Sequence, residues 1–112
     1  MTMNEKFTLE AAGAISMAVC GDILRNERGN GTIKDVLHFN GEFIGYTVRY
    51  YLWLNPKNGD ASWQAEVTLP KRYDGETVRN IENAITDIVN DYISVGNVDI
   101  EKSILEEYKE EY

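Results

Sequence analysis

Two side chains in this sequence could serve as nucleophile and base, Cys20 and His38, and the 112 residues hold one cysteine and one histidine. A thiol activated by an imidazole needs the two within hydrogen-bond reach. Cys20 falls in an apolar helical stripe, where a thiol packs as a small hydrophobe, so it reads as buried and inert. A lone Cys and a lone His exclude an intramolecular disulfide, a multi-thiolate zinc site and any His-pair metal motif. Asp87 and Asp91 stand one helical turn apart, but two carboxylates fall short of the roughly six oxygens that calcium takes. Gly31, Gly41 and Gly59 each follow an asparagine. They read as turn glycines and fit neither a P-loop nor a dinucleotide fingerprint. The other carboxylates lie on polar helix faces, whereas acid–base catalysis needs surroundings that drive two pKa values apart. No catalytic residue, metal or cofactor is expected, and the chain reads as non-enzymatic.

What the residues do offer is charge. Nineteen acids against eleven bases leave a net −8. Residues 1–73 hold eight of each and are neutral. Residues 74–112 hold eleven acids against Arg79, Lys102 and Lys109, so the whole net charge lies in the last third. Such a surface repels nucleic acid and anionic membrane and attracts basic partners. Glu106 with Glu110 and Glu107 with Glu111 stand at i,i+4, where like charges cost a helix about 0.2–0.5 kcal/mol per pair. Two readings follow: a solvated face, or a docking surface for a basic protein formed by Asp87, Asp91, Glu101, Glu106, Glu107, Glu110 and Glu111.

The elements that must position these residues are read from periodicity. A chain of this length fits one domain of residues 1–112, and 43% hydrophobic with 27% charged residues argues against disorder. No run approaches the roughly 18 apolar residues of a membrane span. Glu5 and Glu10 flank the apolar stretch from Ala11, with no basic region ahead of it, so it does not read as a signal peptide. Instead Met1 to Phe7 reads as a disordered lead. Thr8 then caps a helix over 9–26, with Leu9, Ala12, Ile15, Val19 and Ile23 on one stripe, widened by Met17, Cys20 and Leu24.

Three strands follow, over 32–39, 42–54 and 61–69. Asn40-Gly41 is a type I′ hairpin signal and pairs Leu37 with Ile44 and Ile33 with Val48. A second loop at 55–60 pairs Leu52 with Trp63, Tyr50 with Ala65, Val48 with Val67 and Tyr46 with Leu69 on one face. The other face then pairs Arg49 with Glu66 and Thr47 with Thr68, and a one-residue slip would break every pair. Asp35 falls on the apolar face opposite Tyr46, which calls for an edge position or a bulge. Asp74 caps a helix over 75–94 with Val78, Ile81, Ile85, Ile88 and Tyr92 inward; Glu76, Asn80, Asn83, Asp87, Asn90 and Asp91 face outward. Gly96-Asn97 breaks it, and a third helix over 99–111 shows Ile100, Ile104, Leu105 and Tyr108. The order is α-β-β-β-α-α: an α+β fold, a three-stranded antiparallel sheet with helices on one face.

Phe43, Tyr51 and Trp53 lie on the opposite sheet face with His38. Aromatics there could stack bases. However, the nearby cations are only Arg49, Lys57, Lys71 and Arg72, with Glu66 opposite Arg49, so no direct nucleic-acid contact is expected. Three large aromatics need a cover: the N-terminal segment, a second copy or a partner.

This element order, the small size and the acidic C-terminal run Glu106-Glu107-Tyr108-Lys109-Glu110-Glu111-Tyr112 resemble small phage and mobile-element inhibitors of host defence, the anti-CRISPR and DNA-mimic anti-restriction proteins. The resemblance lies in architecture and charge, without a shared motif. It implies a cytoplasmic protein whose acidic helices block the DNA-binding surface of a basic partner such as a CRISPR effector nuclease. Arg25, Arg28, Lys34, Arg49, Lys71 and Arg72 keep the first two thirds neutral, so the whole surface does not imitate a duplex. An immunity protein against a secreted nuclease toxin is the alternative, and a small homodimeric structural subunit is a second.

Overall fold

The hairpin registers follow from turn chemistry and side-chain alternation. In the computed structural model, which describes residues 2–93, Asn40 and Gly41 adopt φ of 51° and 80°, the positive values of a type I′ turn. That turn joins β1 (Asn30–Phe39) to β2 (Glu42–Leu54). It sets Leu37 against Ile44 and Ile33 against Val48, as expected. The loop before β3 (Ala61–Thr68) is closed by Asn55, whose carboxamide oxygen accepts from the Lys57 amide, and by Gly59 at φ 76°. Leu52 then pairs with Trp63, Val48 with Val67, Arg49 with Glu66 and Thr47 with Thr68. The strand stops at Thr68, so the expected Tyr46–Leu69 pair is not made. The sheet is antiparallel in the order β1-β2-β3. Its β1–β2 register runs unbroken, so Asp35 is accommodated by exposure on an edge strand rather than by a bulge.

α1 spans Met3–Asn26, six residues earlier than the expected start, and the disordered lead is thereby corrected. Thr2, not Thr8, is the cap: its hydroxyl oxygen accepts from the Glu5 amide at 3.1 Å. Thr8 sits within the helix and donates to the Asn4 carbonyl. Phe7 holds this first turn in place. It is 3% exposed, stacked on Tyr73 at 4.5 Å and edge-on to Phe39 at 5.2 Å. The buried stripe is Phe7, Ala11, Ala12, Ile15, Ser16, Val19 and Ile23. Leu9, Met17 and Leu24 are exposed instead. α1 is apolar on more than one side, and its buried stripe includes the small residues Ala11, Ala12 and Ser16. For the same reason α1 is long and apolar enough to cross a membrane by length and composition, at a mean hydropathy of 1.4. This corrects the expectation that no run comes near a span. Here Ile15, Val19 and Ile23 lie fully buried in the core.

α2 spans Gly75–Tyr92 and is capped by Asp74, which accepts from the Thr77 amide at 2.7 Å. Its buried residues are Thr77, Ile81, Ile85 and Val89, followed by Ile93. The stripe is therefore rotated from the expected one: Val78 and Ile88 are half-buried and Tyr92 is exposed. α1 and α2 run side by side in the same direction. Asn4 bonds to Thr77 near their starts, and Cys20 and Leu24 share a groove with Ile88 and Tyr92 near their ends. Both cover the face bearing Ile44, Tyr46, Val48, Tyr50, Leu52 and Trp63, all buried. Among the described residues the order is α-β-β-β-α, an α+β fold. The helix expected over 99–111, and with it Glu101, Glu106, Glu107, Glu110 and Glu111, lies outside the described residues.

Candidate functional site

Polar residues of α2 divide into two sets. One set seals the outer edge of β3. The Trp63 amide donates to Asn90 Oδ1 at 2.8 Å, and Asn90 Nδ2 donates to the Trp63 carbonyl at 3.1 Å. The Val67 amide donates to Glu82 Oε2 at 2.7 Å. These two side chains supply the bonds of a missing fourth strand, a recognised way to protect a sheet edge. Asn90, read from sequence as an outward polar residue, is structural. The Trp63 indole adds a bond to the Ile93 carbonyl at 3.1 Å.

The other set faces water. Asp87 and Asp91 are exposed, one turn apart, and among the described residues neither has an ion pair or hydrogen bond. Three carboxylates elsewhere in the fold do have a cation beside them. Glu66 lies 3.5 Å from Arg49, Glu42 lies 3.0 Å from Arg72, and Asp22 lies 3.7 Å from Arg25. Asp22 also accepts from the Tyr50 hydroxyl, and burial together with this carboxylate pushes the Tyr50 phenol far above its usual range. The Thr77 hydroxyl and amide hold the Asp74 carboxyl below its usual value. Of the seven expected acidic contact residues, the structure thus places Asp87 and Asp91 together on one exposed helix face; the other five are outside the described residues.

On the outer sheet face Phe43 is 78% exposed and Trp53 47%. The N-terminal segment does not cover them, since α1 lies on the other side. Nor do they form one cluster. Ten residues of β2 separate them, about 33 Å at a strand's rise. Phe43 contacts His38 at one end, with ring centroids 4.8 Å apart. Tyr51 lies under the Arg49 guanidinium at 5.0 Å near Trp53 at the other end. Between them Gly45 leaves an open hollow of about 550 Å³ beside Lys34, Val36, Thr47 and Thr68.

Cys20 is half-buried rather than fully buried, and desolvation pushes its thiol pKa up. It lies in the helical layer while His38 lies on the strand layer's outer face, so the two are not brought together. Among the described residues no three His, Cys, Asp or Glu are placed to hold a metal ion. Cys20 does line a feature that sequence reasoning missed. This is an apolar groove of about 620 Å³ between α1 and α2, walled by Met17, Leu24, Ile88 and Tyr92 and floored by Gly13, Ser16 and Cys20. Its signal was the spacing of small residues at 13, 16 and 20 beside Met17 and Leu24, read instead as a wider core stripe. Comparisons with protein families, with curated proteins and with solved structures found no match to this chain.

Proposed function

We propose that this protein is a non-enzymatic inhibitor of a basic, nucleic-acid-handling host protein, working in the bacterial cytoplasm. Asp87 and Asp91 on α2, with the acidic residues beyond it, would occupy the cleft that the partner uses for nucleic acid. One observation carries this reading. Glu42 and Glu66 of the sheet are matched to arginines, whereas α2 displays Asp87 and Asp91 one turn apart on one exposed face without a cation among the described residues. A carboxylate meant for a cationic cleft is best left unpaired, because an internal ion pair would have to be broken on docking. A CRISPR effector nuclease fits this chemistry as partner, in line with the anti-defence resemblance. A secreted nuclease toxin met by its immunity protein fits it equally, and gene neighbourhood separates the two.

The uncovered aromatics favour a second reading. Phe43 and Trp53 are large apolar groups facing solvent, and a second copy set against that face would cover both ends at once. Sizing chromatography at micromolar concentration distinguishes a homodimer from a monomer.

The test of the first reading starts with capture of the partner from a host lysate at low salt and its release at high salt. Binding of the purified pair is then compared for two triple reversals to lysine. Asp87, Asp91 and Glu110 form the first set; Glu10, Glu27 and Asp60 form the control. Asp22 is unsuitable as a control because it holds Tyr50. The first set should weaken binding by roughly two orders of magnitude or more, and association should slow as salt rises. Equal losses from both sets, or salt-insensitive binding, would reduce the acidic face to a solvated surface.

A further inference from the structure

The α1/α2 groove is an apolar surface that none of the described residues covers. Its walls carry Met17 at 79%, Tyr92 at 77% and Leu24 at 57% exposure, a contiguous apolar surface of the kind that marks a contact. Its floor is made of small residues, and a Cβ built on Gly13 would meet nothing within 4 Å. The Ser16 hydroxyl, on a residue 1% exposed, has no hydrogen-bond partner among the described residues.

We infer that residues 94–112 of this same chain fill the groove. The chain leaves α2 at Ile93, itself part of the groove lining, and nineteen residues follow it. Because α1 and α2 are parallel, both end at the same end of the groove, so a returning segment needs a reversal, and Gly96-Asn97 supplies the residues for one. Beyond it Ile100, Ile104, Leu105 and Tyr108 recur at helical spacing. Ile100 to Tyr108 spans about 12 Å of helix and Gly13 to Leu24 about 17 Å, so the apolar stripe fits within the groove. Charge agrees with the direction. The return would begin with Asp99 and Glu101, at the end where Arg25 of α1 and Arg28 just beyond it are exposed. The apolar stripe would then face Met17 and Leu24, with Glu106 and Glu110 on the opposite side by helical spacing. The inference stands whether or not those acids meet a partner.

Cys20, the only thiol in the chain, reports on this directly. In the full-length protein, alkylation by iodoacetamide is compared between wild type and Ile104→Ser/Leu105→Ser, a pair that leaves the charge unchanged. The doubly substituted chain should react at least roughly ten-fold faster, since an undocked segment leaves the groove open. Near-UV circular dichroism together with tryptophan emission, to which buried Trp63 and exposed Trp53 both contribute, checks that the sheet layer persists. Met17→Ser, on an exposed wall residue outside the core, should raise the rate as well, and it reads the contact from the other side. Unchanged Cys20 reactivity in both variants would overturn the inference. So would protection that disappears on dilution, which would assign the groove to a second copy.

Discussion

Asn90 and Asn83 lie on the same helix, are both exposed, and look equivalent in sequence, yet the structure gives them different work. Asn90 makes two bonds to the Trp63 backbone and one to the Thr86 carbonyl, whereas no hydrogen bond to Asn83 is found among the described residues. Replacing Asn90 with alanine removes both edge bonds, each worth about 1 kcal/mol net. It also leaves the amide and carbonyl of a residue that is 1% exposed without their partner. Alanine returns about 0.6 kcal/mol through its better helix propensity, and water reaches part of the vacated edge. Asn90→Ala should therefore destabilise by about 1–2.5 kcal/mol. Asn83→Ala should be neutral or stabilise by up to about 0.6 kcal/mol. Urea denaturation of the two variants side by side should separate their midpoints by roughly 0.5–2 M at an unchanged slope. If the two midpoints coincide, α2 does not seal β3 through Asn90, and the division of its polar residues into structural and displayed sets fails with it.

Gly31→Ala should destabilise by about 1–3 kcal/mol as an overpacking change, because the added Cβ would lie 2.5 Å from the Tyr50 hydroxyl and 2.7 Å from its ring. Tyr50→Phe in that background should recover part of the loss in a denaturation cycle; a neutral Gly31→Ala would contradict this close approach. Asp74 caps α2 as a carboxylate with its pKa lowered by Thr77, so its contribution is present above the unfolded value near 3.8 and is lost as pH falls through the folded one. Acid unfolding should accordingly be shallower for Asp74→Asn, which caps without titrating, and identical acid profiles would remove the linkage.

The strand register was legible because two independent constraints agree on it. Asn40-Gly41 sets one hairpin by backbone conformation, and period-two alternation in β2 sets the other, since any slip would turn Tyr50 and Leu52 outward. The helices were less legible, for a physical reason. Burial of a helix depends on which side its neighbours approach, and α1 offers apolar residues on several sides. Leu9 and Met17 look as hydrophobic as Phe7 and Val19, but only a contact with Tyr73 and Phe39 explains why Phe7 is inside. The outer sheet face was read as three aromatics in need of a cover, and α1, which lies on the other face, does not supply one. Its division into two ends about 33 Å apart follows from counting along β2, a step that the pattern of residue types does not suggest.

The candidate contact residues emerge by subtraction. α2 carries four acids, Glu76, Glu82, Asp87 and Asp91. Glu82 is engaged with the Val67 amide. Glu76 stands in the first turn, where a negative charge favourably meets the helix N-terminus. Asp87 and Asp91 have neither duty, and they sit toward the C-terminal half, where the helix dipole makes a carboxylate mildly unfavourable. Nothing in the described fold repays that cost. A basic partner would repay it, and so would the unstructured benefit of solubility; the two differ in one respect. Solubility is indifferent to which acids supply the charge, whereas a cationic cleft is not, so the equal-number reversal of Asp87, Asp91 and Glu110 against Glu10, Glu27 and Asp60 separates them.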